Sequence, residues 1–135
     1  MVNRQRKFFL ASAVLFLGLG VLFGALGAHS LRGVLSDAQM NSFNTAVRYQ
    51  VWMGFGLALT VLIGARFLQD RVRMVGWLLI IGTLLFSGSI YVLTALPSGH
   101  SMRSIIGVLT PFGGILLIIA WLLLFVRILS SKSVG

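Results

Sequence analysis

Four stretches of the chain carry no charged side chain: Phe8–Leu31, Tyr49–Ala65, Met74–Gly99 and Ser104–Val126. A helix that crosses a bilayer needs ~20 mostly apolar residues, at about 1.5 Å of rise each. The first, third and fourth stretches satisfy this outright, and the second is short. The residues before the second make up the difference. Ser36 can cap a helix, and Gln39 three positions later completes a capping box. Beyond them Met40, Phe43 and Val47 recur at helical spacing among Asn41, Ser42, Asn44, Thr45 and Arg48. That pattern predicts an amphipathic helix at the membrane surface that runs on into the second span. The expected fold is therefore all-α: four transmembrane helices at about 8–31, 37–66, 73–96 and 104–129, the second with an interfacial start over 37–48, in a single membrane domain 1–135.

Composition agrees with this pattern. Of 135 residues, 58% are hydrophobic and only 10% are charged. A soluble domain carries about 25% charged residues. The net charge of +9 would suggest nucleic acid in a soluble protein. Here the basic residues sit at the ends of apolar runs, where they anchor helices and set topology, so no nucleic-acid partner is expected. The basic start at Arg4, Arg6 and Lys7 and the small residues Ala25–Ala28 resemble a secretory leader. The apolar run is longer than the ~7–15 residues of such a leader, so it is read as a retained first helix.

Orientation follows from the Lys and Arg count. Arg4, Arg6, Lys7, Arg66, Arg71, Arg73, Arg127 and Lys132 fall on one side, and Arg32, Arg48 and Arg103 on the other. Eight against three puts both termini in the cytoplasm. Trp77 and Trp121 then fall near cytoplasmic ends, and Tyr49 and Trp52 near the outer end of the second helix.

Helices in lipid associate by close backbone approach and hydrogen bonds rather than by the hydrophobic effect. Many of the 16 glycines lie in the apolar runs. Gly20, Gly24 and Ala28 form a ladder at four-residue spacing, with Gly27 beside it; Gly88 belongs to the third helix, and Gly113 and Gly114 to the fourth. They are expected to pack the bundle, with self-association through one such face as the sharper reading. Pro111 leaves two alternatives. Either it kinks a continuous fourth helix, or Thr110 caps a helix that begins at Pro111.

The polar residues that remain are few. The acids, Asp37 and Asp70, both lie outside the spans. This argues against paired-carboxylate catalysis, a Ca²⁺ or Mg²⁺ cage and a proton-coupled carrier built on a membrane carboxylate. Two histidines do not make a zinc site, and the absence of cysteine removes thiolate chemistry. No metal or cofactor is expected. On the third helix Thr83, Ser87, Tyr91 and Thr94 make one polar stripe, which should turn toward other helices. In the expected orientation Ser87, Ser89 and Tyr91 share the outer leaflet with His29, Ser30, Tyr49, Gln50 and Thr110. These eight residues form the candidate polar cluster. Gln50 demands a partner, because an unpaired amide in hydrocarbon is costly, and His29 or Tyr91 could supply one.

Several of these residues fall in motifs. Gly24–Leu31 reads GALGAHSL, Thr45–Gln50 reads TAVRYQ, Leu85–Tyr91 reads LFSGSIY, and Leu109–Gly114 reads LTPFGG, with Trp121 beyond. In order and over about residues 18–125, they resemble the GAxGAHxL, TxxxYQ, LFSGSxY and TPxGG…GW segments of a small bacterial membrane family typified by YgdD and YwdK. The resemblance implies four helices in a bacterial cytoplasmic membrane and supplies no reaction. The family usually reads YQxxH where this chain has Met53 in the histidine's place, so a function needing two histidines at this face is not implied.

The expectation is a non-enzymatic membrane protein. It would act by association with itself, a partner membrane protein or lipid through the polar, glycine-rich outer half. The alternative is a small channel or carrier lined by Thr83, Ser87, Tyr91, Gln50 and His29. A lipid-modifying enzyme with His29 as base is weakest, because nothing orients that histidine.

Overall fold

The computed structural model describes residues 3–131, apart from the side chains of Phe67, Gln69 and Asp70. Lys132, counted above in the charge asymmetry, lies outside the described residues. Four helices are long and apolar enough to cross a membrane. They are α1 (Asn3–His29), α2 (Asp37–Ile63), α3 (Arg73–Ala95) and α4 (Met102–Leu129).

α1 begins before its apolar run, because Arg4, Arg6 and Lys7 are compatible with helix and belong at an interface. α2 starts where its capping box places it. The Ser36 side chain accepts from the Gln39 N–H at 3.2 Å, and the Gln39 side chain accepts from the Ser36 N–H at 2.9 Å. Such a cap contributes about 1 kcal/mol. The helix then runs unbroken from its amphipathic first turns into the span, with Phe43 and Ala46 buried. Past Ile63 the chain makes a π turn (Gly64–Leu68) and a 3₁₀ turn (Gln69–Val72) before α3.

α3 contains a π turn of its own at Leu84–Gly88. It stops before Pro97, which disfavours helical geometry at the residue before it: Leu96 is extended, with ψ 138°. A turn follows, in which the His100 N–H donates to the Pro97 carbonyl at 3.2 Å and Gly99 takes φ +86°. α4 is continuous through Pro111. Of the two alternatives for the fourth helix, the structure has proline in the helix interior.

α1 packs along α2, and α4 packs along α3. α2 and α3 form the centre. In their most apolar windows 44% and 39% of residues are buried, against 22% for α1 and for α4. The core is dry. Phe9, Leu57, Val61, Val72, Val75, Leu79, Leu117 and Leu124 fill the half that contains the start of α1 and the end of α4, called here the terminal half. The half toward the two connections, residues 30–36 and 96–101, is called the loop half. Leu15, Val21, Phe55, Leu62, Leu84, Ile118 and Phe125 point outward, as lipid-facing side chains do.

Candidate functional site

The structure draws five of the eight cluster residues into two hydrogen-bonded groups, one on each side of the α2–α3 contact. On the α1 side, Tyr91 Oη donates to Gln50 Oε1 at 2.7 Å, and Gln50 Nε2 donates to the Phe16 carbonyl at 2.8 Å. One amide thus joins three helices. The close approach of α1 and α2 that permits this depends on Gly20. A Cβ there would stand 2.5 Å from Val51 Cγ2 and 3.8 Å from the Gln50 amide nitrogen. Beside this group, Ser87 Oγ reaches across to donate to the Ala46 carbonyl of α2 at 2.8 Å. The Tyr91 ring is held between Phe23 and Phe43, with centroids 4.8 and 5.3 Å away.

On the α4 side, the Ser89 and Thr110 hydroxyls lie 2.6 Å apart, and Ser89 Oγ also contacts the Phe86 carbonyl at 2.9 Å. If Ser89 donates to that carbonyl, its oxygen receives the Thr110 proton. Thr110 is therefore a bridge to α3 rather than the cap of a helix starting at Pro111. The backbones of α3 and α4 meet at the same level. A Cβ on Gly113 would overlap the Phe86 nitrogen and the Gly82 carbonyl oxygen. Gly114 is in ordinary contact with the Phe86 ring. Pro111 is exposed and faces outward.

The remaining candidates lie elsewhere. Tyr49 is half-buried and packs its ring on Phe86 at 4.7 Å and on Trp52 at 5.2 Å. His29 and Ser30 are exposed where α1 ends and do not join the cluster. Tyr91, not His29, is the partner that Gln50 required. Within the polar stripe only Ser87 and Tyr91 link helices. Thr83 and Thr94 bond back to the Leu79 and Ile90 carbonyls of their own helix.

The packing glycines separate in the same way. Gly20, Gly27 and Gly113 are closed by neighbours at or inside contact distance, with Phe43 2.9 Å from the Cβ position of Gly27. Gly24 has only Val47, at 3.7 Å. Gly88 has nothing within 4 Å of where its Cβ would stand. It lines an open groove of ≈ 130 Å³ between α1 and α3, with Phe16, Leu19, Phe23, Leu84 and Tyr91. The Gln50 and Ser87 side chains also line this groove.

One contributor was read from sequence only as a topogenic charge. The Arg103 guanidinium donates through Nη1 to the Leu93 and Leu96 carbonyls, at 2.7 and 2.9 Å. These are terminal acceptors of α3, so the cation sits at the negative end of that helix and ties it to the start of α4. The signal was available: a basic residue a few positions beyond a proline-terminated helix.

Fold and site define a polytopic all-α membrane protein whose loop half is knit by interhelix hydrogen bonds. The family model described as "Protein of unknown function (DUF423)" matches residues 23–114. The chain is 38% identical to a UPF0382 membrane protein of Staphylococcus haemolyticus over 129 residues, covering 96% of this chain and 99% of that one. It is 36% identical to the UPF0382 membrane protein YwdK of Bacillus subtilis, covering 80% and 85% of the two chains. A UPF0382 membrane protein of Schizosaccharomyces pombe is 39% identical, with 76% and 86% covered. The chain belongs to this family, DUF423/UPF0382. No solved structure matches it.

Proposed function

We propose that the protein acts by association, without catalysing a reaction, and that the groove between α1 and α3 is the face it offers to a second transmembrane helix. That helix belongs to another copy or to a partner membrane protein, with a lipid chain as the weaker occupant. The observation that carries this reading is Gly88. A glycine inside a helix costs up to about 1 kcal/mol relative to alanine, and at Gly88 the space a Cβ would take is filled by no other side chain of this protein. It becomes useful when a second backbone comes close, as small residues allow in membranes. The groove also presents the Gln50 amide, whose second N–H and second acceptor lone pair are not used by Tyr91 or Phe16.

The channel or carrier reading has less support. Its lining hydroxyls are turned onto backbone carbonyls, and the terminal half of the core is apolar. The charge asymmetry supports both termini inside and the groove toward the outer leaflet, and the likeness to bacterial membrane proteins supports a bacterial cytoplasmic membrane.

Native mass spectrometry from mild detergent tests the association. A defined oligomer or retained partner for the wild type, lost in Gly88→Leu, is the expected result. A wild-type monomer that retains nothing, or an assembly unchanged in Gly88→Leu, overturns the reading.

A further inference from the structure

At the terminal end of the bundle, α1 and α3 carry the same device side by side. Arg4 stands one turn before Phe8 on α1, and Arg73 stands one turn before Trp77 on α3. In both, the arginine is nearer the helix end and the aromatic ring lies about 6 Å deeper along the axis. The two rings pack together, with centroids 5.4 Å apart, and Phe9 closes on the Trp77 ring edge-on at 5.5 Å. Between the helices lies an open cavity of ≈ 480 Å³ lined by Arg4, Gln5, Phe8, Arg73 and Trp77. Both arginines are exposed, and Phe8 and Trp77 keep about half and over a third of their surfaces exposed, at 48% and 39%.

We infer that this cavity is a binding site for the headgroup of an anionic phospholipid. Two guanidiniums from separate helices can grip one phosphate, for which arginine's planar fork is suited, and the Gln5 amide adds a further donor. Trp77 suits the level of the glycerol, where tryptophan is enriched, and the apolar Phe8 ring beside it suits the upper acyl chain. Phe8 and Trp77 both keep exposed surface, so an acyl chain below a bound headgroup can lie against their rings. It lies at the first turns of α1, away from the Gly88 groove over Phe16–Phe23, and it holds whichever way the bundle is oriented.

The test is native mass spectrometry of the full chain, titrated with phosphatidylglycerol, phosphatidylcholine or inorganic phosphate. The wild type should retain one phosphatidylglycerol about thirtyfold more strongly than phosphatidylcholine, as two cations near an anionic headgroup imply. The Arg4→Gln, Arg73→Gln double variant should lose that preference. Both side chains are exposed, so the bundle should keep the wild-type thermal midpoint. Arg127→Gln, at the same end on α4, should retain it. Equal loss in Arg127→Gln would mean diffuse charge and overturn the site. So would displacement of phosphatidylglycerol by equimolar inorganic phosphate, which would identify a soluble anion as the ligand.

Discussion

The two halves of the bundle solve the same problem by different means. Lipid tails are as apolar as leucine, so burying a leucine against another helix gains little over leaving it in the bilayer. In the terminal half the helices are held by shape. Phe9 lies on Gly76, Trp121 on Gly56 and Leu117 on Gly82, each against the bare backbone of a neighbouring helix. The hydroxyls nearby, Ser12 and Thr60, bond back to their own helices, and no side-chain hydrogen bond joins two helices there among the described residues. In the loop half Gln50, Tyr91, Ser87, the Ser89–Thr110 pair and Arg103 each cross from one helix to another. The terminal half should therefore be sensitive to added volume and the loop half to lost polarity. The level where Gly82 and Gly113 meet should be the most sensitive of all.

The largest effect is expected at Gly113. A Cβ there meets the backbone of α3 at both Phe86 and Gly82, and backbone at the centre of a bundle cannot swing aside. Gly113→Ala should force α3 and α4 apart and cost about 3 kcal/mol, the upper part of the usual range for overpacking. Unfolding in mixed detergent–SDS micelles, followed by circular dichroism, reads this directly. A midpoint equal to that of the wild type would show that the two backbones are not held as closely as described.

Gly76→Ala makes a milder version of the same intrusion. The atoms it meets, from 2.6 Å outward, are the far side of the Phe9 ring, and a ring can turn. A loss of about 1–2 kcal/mol is expected. Adding Phe9→Leu should restore part of it, because the smaller side chain leaves room for the methyl. If the second substitution deepens the loss instead, the ring's own packing matters more than its fit on the glycine.

Polarity is tested by the pair Gln50 and Tyr91. A double-mutant cycle with Gln50→Leu and Tyr91→Phe should give a coupling of about 0.6 kcal/mol, and at most about 1.7, the range measured for hydrogen bonds between membrane helices. The same cycle on Thr83, which bonds only to its own helix, should give no coupling with Tyr91. Equal couplings in the two cycles would mean that the loop half is not held by its polar links.

Much of this architecture is legible in the chain, because bilayer thickness and the cost of bare backbone leave few options. The spans, the Ser36–Gln39 capping box and the need of Gln50 for a partner all follow from residue type and spacing. What is not legible depends on how each helix is rotated and how its backbone deviates. The π turn at Leu84–Gly88 has no signature in LFSG, yet Ser87, which reaches Ala46, lies within it. Spacing places His29 at the right depth, but α1 ends there and leaves it exposed. The ladder Gly20, Gly24, Ala28 looks uniform as sequence. In the structure Gly20 is tightly closed, Gly24 is in loose contact and Ala28 is exposed.

The smallest effect on stability is expected at Gly88, and that makes it informative. Its Cβ position is empty, so Gly88→Ala adds a methyl group that meets nothing in the chain and removes the conformational entropy a helical glycine gives up on folding. The isolated bundle should unfold at the wild-type midpoint or slightly above it. Gly24→Leu provides the contrast. Its Cβ position is 3.7 Å from Val47, so a large side chain there presses on α2 and lowers the midpoint of the bundle itself. If association depends on the groove, Gly88→Leu lowers it without lowering the midpoint, whereas Gly24→Leu changes both together. Because the chain has no cysteine, Leu84→Cys on the groove wall gives a single reporter thiol. Oxidative cross-linking of two such chains in membranes would identify the second helix as another copy. Cross-linking that persists unchanged in Leu84→Cys with Gly88→Leu would show that the copies meet by collision, and the groove would then have no claim to self-association.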